Sequence, residues 1–126
     1  MLAGHRILGF APTRDYERAR AFYEGTLGLE FVSQDPYALV LRAGGNFIRI
    51  ARTPEFVPQP FTVLGWESPR MDEDVAALAR RGVAFERYPF LEQDAKGVWT
   101  SPAGTKVAWF KDPDGNLLSL SGPSHG

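Results

Sequence analysis

Apolar and polar positions run through this chain in two similar rounds. Residues 7–11 form a short apolar run that Pro12 ends, which predicts a first strand. Asp15 is suited to cap a helix, and Ala19, Phe22, Tyr23 and Leu27 then recur at i, i+3, i+4 and i+8. Gly25 weakens that helix and Gly28 stops it. Residues 29–33, 37–42 and 46–51 read as strands, divided by the turns Gln34-Asp35-Pro36 and Gly44-Gly45. The first half is therefore βαβββ.

Residues 53–60 hold Pro54, Pro58 and Pro60; the stretch is too short and too apolar for a free tether and reads as a crossing segment within one fold. The pattern then restarts. Residues 61–67 predict a strand, and Asp72 is expected to cap a helix carrying Val75, Leu78 and Ala79 that Gly82 ends. Residues 83–87, 105–111 and 116–121 predict strands, with Pro113-Asp114-Gly115 as strong turn chemistry. The extra length of this half lies between Tyr88 and Gly104 and includes a possible short strand at 97–100. Residues 121–126 are expected to fray.

The two rounds share sequence as well as pattern. Gly45-Asn46-Phe47-Ile48-Arg49-Ile50 returns as Gly115-Asn116-Leu117-Leu118-Ser119-Leu120, and Gly28-Leu29-Glu30-Phe31 returns as Gly82-Val83-Ala84-Phe85. The chain thus reads as an α+β fold of two tandem βαβββ units, about 5–52 and 61–121, within a single domain spanning 1–126.

Composition narrows the function classes. At 126 residues the chain can bury one core, and 44% apolar with 23% charged residues excludes a disordered segment. No apolar run approaches the length that spans a bilayer, so no membrane partner is expected. No secretory leader opens the chain, so the cytoplasm is the expected compartment. A net charge of −1 with both signs interspersed makes nucleic acid a poor partner. The absence of cysteine removes disulfide and thiolate chemistry. There is no Gly-x-Ser-x-Gly elbow, and Gly44-Gly45 opens a strand rather than a phosphate-binding helix. The acid pairs Asp72/Asp74 and Asp112/Asp114 are explained by a helix start and a tight turn.

The stretch Thr13-Arg14-Asp15-Tyr16-Glu17-Arg18-Ala19-Arg20-Ala21-Phe22-Tyr23, the following Leu27-Gly28-Leu29, and Lys111 to Leu120 (KDPDGNLLSL) resemble the vicinal oxygen chelate superfamily. That group contains glyoxalase I, extradiol dioxygenases, and fosfomycin- and bleomycin-resistance proteins. The resemblance covers the chain from about His5 to Ser121. It implies a cup-shaped mixed sheet, each unit curling into a half-cup with its helix outside, and a ligand pocket formed by the two half-cups.

Metal-dependent members of that superfamily place four His or Glu ligands in the cup, from the first and last strands of each unit. Carried over, those positions fall on Leu8, Arg49, Val63 and Ser119. Leu8 and Val63 have no donor, Arg49 is a fixed cation and Ser119 is a weak neutral ligand. The two histidines, His5 and His125, precede the first strand and lie in the tail. No metal and no other cofactor is therefore expected.

Arg49 is expected to point inward with Phe47 and Ala51, where its fork suits a ligand carboxylate or phosphate, or Glu67. Glu67 shares its strand face with Val63 and Gly65, whereas Trp66 alternates away and should pack under its helix. Trp99 in the insertion is expected to rim the pocket, and Ser119 can hydrogen-bond a ligand. Arg49, Glu67, Ser119, Phe47, Trp99, Leu8 and Val63 are thus the candidate ligand-binding residues. The expected function is metal-independent binding of a small, partly aromatic, anionic organic molecule by a homodimer, as in the bleomycin-resistance branch. The alternatives are a glyoxalase- or dioxygenase-like metalloenzyme with displaced ligands, and a fold used only as a dimeric interaction module.

Overall fold

The computed structural model describes residues 1–122; His125 and the rest of the expected frayed tail beyond Gly122 lie outside the described residues. The chain divides into two compact units, Met1–Pro58 and Gln59–Gly126, and each is a βαβββ unit of the expected α+β kind.

The first unit runs β1 (Leu8–Thr13), α1 (Tyr16–Arg20), β2 (Glu30–Gln34), β3 (Leu39–Ala43) and β4 (Asn46–Arg52). Its sheet has the order β1-β4-β3-β2, with β1 and β4 parallel and the other pairs antiparallel. Asp15 caps α1 as expected, its carboxylate accepting the Glu17 N–H at 2.9 Å. The helix does not continue regularly to Gly28. Over Ala21–Thr26 it widens, and the Leu27 N–H donates to the Phe22 carbonyl, an i→i+5 bond of 2.9 Å. Gly25, a poor helix former, lies inside this wide turn. Gly28 then turns the chain at φ 77°, where a side chain would be strained.

Period-two alternation assigns the faces of this sheet. Ala11 and Thr13 of β1, Ile48 and Ile50 of β4, and Leu39 and Leu41 of β3 are buried, as are Ala19 and Tyr23. Arg52 lies over the Tyr16 ring at 6.0 Å, so this is the face that the helix covers. Leu8, Phe10, Phe47, Arg49, Val40 and Arg42 occupy the opposite, open face, with Leu8 opposite Phe47 and Phe10 opposite Arg49.

The second unit runs β5 (Thr62–Glu67), α2 (Met71–Arg80), β6 (Trp99–Thr100), β7 (Lys106–Lys111) and β8 (Leu117–Ser121), in the order β5-β8-β7-β6 with β5 and β8 parallel. Trp66 stacks on Phe110 at 6.4 Å and Phe85 meets Phe110 edge-on at 5.8 Å, beside buried Val75, Ala108, Leu118 and Leu120. Trp66 therefore packs on the core face, as its alternation requires.

Two local expectations are corrected here. Asp72 is not the helix cap. Arg70 occupies that position without a side-chain bond, and Asp72 stands in the first turn, where its charge still suits the helix dipole. The Ser68 hydroxyl instead donates to the Asp74 carboxylate at 2.6 Å. Residues 83–87 do not form a strand. Phe85 makes a single bridge to Phe110, and the fourth place in the sheet goes to Trp99–Thr100. The Glu86 N–H still donates to the Trp109 carbonyl at 2.8 Å, and beyond it Gln93 holds the chain: its amide donates to the Glu86 carbonyl at 2.9 Å and accepts the Tyr88 N–H at 2.7 Å. It thereby takes backbone groups that a continuing strand would need.

The Lys111–Leu120 segment is built as its turn chemistry requires. Asp112 Oδ1 accepts the N–H groups of Asp114 and Asn116, both at 2.9 Å, and Oδ2 accepts Asn116 Nδ2 at 2.8 Å. The turn aims β8 back along β5 and sets the register that places Ser119.

Candidate functional site

The open faces of the two sheets carry the candidate chemistry, and each is built by its own unit. On the first, Leu8 is 49% exposed and Phe10 58% exposed, an unusual apolar strip for one side of a sheet. Phe47 lies between two guanidinium groups, Arg42 at 5.0 Å and Arg6 at 5.5 Å from its ring centre. Arg42 pairs with Glu30 at 3.1 Å. Arg49 is half-buried and makes no hydrogen bond or ion pair among the described residues. Its charge is felt by Asp35, whose pKa is held below the ordinary carboxylate value. The larger causes there are the N–H groups of Tyr37 and Ala38, which donate to the Asp35 carboxylate at 2.7 and 3.0 Å.

On the second unit, the register places Gly65 opposite Ser119 and Trp109 on the other side of Ser119. Glu67, exposed, lies two residues along from Gly65 on the same face. The pairing of β5 with β8 skips Val63, so Gly65 rather than Leu64 is the direct neighbour of Ser119, and Val63 has no partner on β8 in the register. Ser119 is only 7% exposed, and its hydroxyl makes no hydrogen bond among the described residues. A shallow cavity of about 250 Å³ is lined by Gly65, Trp66, Glu67, Ser121 and Gly122.

Trp99 joins a run of four rings. Trp99 and Trp109 lie 6.2 Å apart, Tyr88 meets Trp109 edge-on at 5.5 Å, and Phe90 lies 5.5 Å from Tyr88. Burial against these rings pushes the Tyr88 phenol pKa up and the Glu86 charge adds to it, with Lys111 opposing. Tyr88 therefore stays protonated well above neutral pH. Phe10, Gly65, Tyr88 and Trp109 extend the set expected from sequence. Phe10 was legible as the i+2 neighbour of Leu8; the role of Gly65 needed the strand pairing.

The four positions that the resemblance assigns to metal ligands carry side chains that do not suit a metal. Leu8 and Val63 offer hydrocarbon, Arg49 offers a cation and Ser119 a neutral hydroxyl. Among the described residues no three His, Asp or Glu side chains are grouped to hold an ion.

Two tandem βαβββ units of this strand order define a class before any individual protein. The chain belongs to the glyoxalase/bleomycin resistance protein/dioxygenase superfamily, whose pattern it matches over residues 5–120. No curated protein matches it significantly. Among solved structures it is similar to TnmS3, an antibiotic binding protein from Streptomyces sp. CB03234, with 26% identity, a TM-score of 0.70 and 98% of each chain covered. It also resembles a lactoylglutathione lyase from Agrobacterium tumefaciens, with 15% identity, a TM-score of 0.73, and 94% of this chain and 93% of that chain covered. A glyoxalase family protein from Enterococcus faecalis shares 24% identity at a TM-score of 0.69, with 96% and 99% covered. The last two likenesses establish the fold alone.

Proposed function

We propose that the protein binds a small organic molecule, part aromatic and part anionic, on the open face of its first sheet and without a metal ion. Binding itself, rather than turnover, is its function in this reading. The observation that carries it is Arg49: a half-buried arginine with no hydrogen bond or ion pair among the described residues, on a face it shares with Leu8, Phe10, Phe47, Val40 and the Glu30-paired Arg42. A partly desolvated cation gains from a matching anion, and its fork fits an acid group on a ligand. The apolar side chains around it would take the hydrocarbon part, as organic ligand sites are mostly apolar with few polar anchors. The likeness to an antibiotic binding protein at 26% identity favours the same reading.

Titration with naphthoate and with anilinonaphthalene sulfonate tests it. Both aromatic anions should bind the wild-type protein, and Arg49→Met should bind them much more weakly while melting at the same temperature. Equal affinity in the two proteins would overturn the assignment of Arg49. The alternative of a metalloenzyme with displaced ligands requires stoichiometric metal in protein purified without a histidine tag, and elemental analysis decides it.

A further inference from the structure

We infer that the open face of the second unit is a binding site for an aromatic ring carrying a neutral oxygen, with Ser119 as its hydrogen-bonding anchor and Gly65 as the residue that keeps the anchor accessible. This rests on the reading of the protein as a small-molecule binder and adds the chemical class that this face accepts.

The argument starts from a polar atom without a protein partner. Ser119 is 7% exposed, in the middle of β8, and its hydroxyl makes no hydrogen bond among the described residues. Tyr16 Oη is the fully buried side-chain atom left without a partner among the described residues, so Ser119 Oγ keeps contact with solvent and can be reached by a ligand. Its neighbour on β5 is Gly65, and a Cβ added there would come within 2.8 Å of Ser119 Oγ. Any other residue at 65 would crowd that oxygen. Glycine in a strand interior weakens the strand and marks a place where something approaches closely. Its φ is not in the left-handed region, so backbone geometry does not demand glycine here.

The neighbour on the other side is Trp109, and with Trp99 and Tyr88 it forms a wall of rings beside the free hydroxyl. A flat aromatic ligand lying against this wall would bring a ring substituent to Ser119 Oγ. Charge selects the substituent. Glu67 follows Gly65 on the same face, and Lys111, the cation of this face, is paired with Glu86 at 3.4 Å. A carboxylate would meet the charge of Glu67, with Lys111 already paired. A hydroxyl or carbonyl would not, and a hydroxyl can both accept from Ser119 and donate to Glu67.

The experiment uses the full chain, three probes (naphthol, naphthoate and naphthalene) and the three indole N–H signals of a nitrogen-labelled sample, assigned through Trp→Phe variants. Naphthol should shift the Trp99 and Trp109 signals and leave Trp66, which stacks in the core, unmoved. Ser119→Ala should weaken naphthol binding about 2- to 12-fold, the range for one hydrogen bond, and leave naphthalene binding unchanged. Gly65→Ala should fold, because the only side-chain atom it crowds is a rotatable hydroxyl, and should weaken naphthol binding at least as much as Ser119→Ala. If naphthol binds without shifting Trp99 or Trp109, or binds Ser119→Ala and Gly65→Ala as tightly as wild type, the site assigned here is overturned while the binding function stands. If naphthoate binds in an Arg49-dependent manner and naphthol does not bind, the chemical class is overturned alone. If none of the three probes binds, this inference and the proposed function both fall.

Discussion

At the scale of single residues, alternation decides what each side chain can do. Arg49 and Phe47 lie on the open face because Ile48 and Ile50 take the buried one, and that much follows from period two. The consequence for Arg49→Met is specific. The methionine retains apolar contact but removes every donor, and no hydrogen bond or ion pair among the described residues is lost. Affinity for an aromatic anion should fall by about 1.5–3 kcal/mol, the range for hydrogen bonds to charged groups, with an unchanged melting temperature. Calorimetric titration beside a thermal melt checks both halves. Asp112 is the opposite case. It is buried and accepts three hydrogen bonds within its turn, two of them from backbone N–H groups. Asp112→Ala should destabilise the protein by at least about 1–3 kcal/mol, since each buried donor left unmet costs in that range; denaturant midpoints measure it. Asp35 adds a pH term. Its folded pKa is depressed, chiefly by the N–H groups of Tyr37 and Ala38, so its contribution is present above the ordinary carboxylate pKa and is lost as pH falls through the lower folded value. Asp35→Asn should flatten the acid limb of a stability-against-pH curve and leave the neutral region's slope as it was.

At the scale of elements, the parts written locally in the sequence are those the structure repeats. The Asp15 cap, the Gly28 and Gly82 stops, the Asp35 turn and the Asp112–Asn116 turn each depend on residues a few positions apart. The repeat of Gly45-Asn46 as Gly115-Asn116 likewise announced two βαβββ units. What was not legible depends on pairing across the sheet or on side chains reaching back to the main chain. The skip at Val63 brings Gly65, rather than Leu64, beside Ser119, and no local pattern reports a bulge of that kind. The ring wall needs Tyr88, Trp99 and Trp109 brought together from a strand and an insertion with no counterpart in the first unit. The strand expected at 83–87 is reduced to a bridge at Phe85, and Gln93, which belongs to no periodic segment, takes the Glu86 carbonyl and the Tyr88 N–H next to it. The Gln93 side chain makes three bonds, to Glu86 O, Gly97 O and Tyr88 N. Gln93→Ala should therefore cost about 1–3 kcal/mol and loosen residues 88–99. Hydrogen exchange should show the Tyr88 amide losing protection while the β7 and β8 amides keep theirs. Uniform loss throughout the second unit would show that the insertion is part of its cooperative core instead.

At the scale of the whole molecule, the remaining question is what the chain does with the apolar surface and strand edges that each unit leaves. Every four-stranded sheet ends in two strands with one unpaired side: β1 and β2 in the first unit, β5 and β6 in the second. Such edges invite pairing and are normally covered or charged. The chain also exposes large apolar side chains outside the Leu8 and Phe10 strip, among them Ile7 and Val57, 76% and 75% exposed. No helix among the described residues is long and apolar enough to cross a membrane, so a bilayer-spanning helix is not what these residues serve. A second copy of the chain is the partner that soluble proteins most often recruit for such surfaces, through a two-fold axis. We therefore expect a homodimer. Sedimentation equilibrium at micromolar concentration should give twice the 14.0 kDa chain mass, and the self-association should weaken when Ile7 and Val57 are both changed to Ser. The double variant should keep its fold, because neither residue contributes to the buried core. A wild-type sample that sediments only as a monomer would remove the dimer from this account, and the apolar side chains would then have to be explained by the ligand alone.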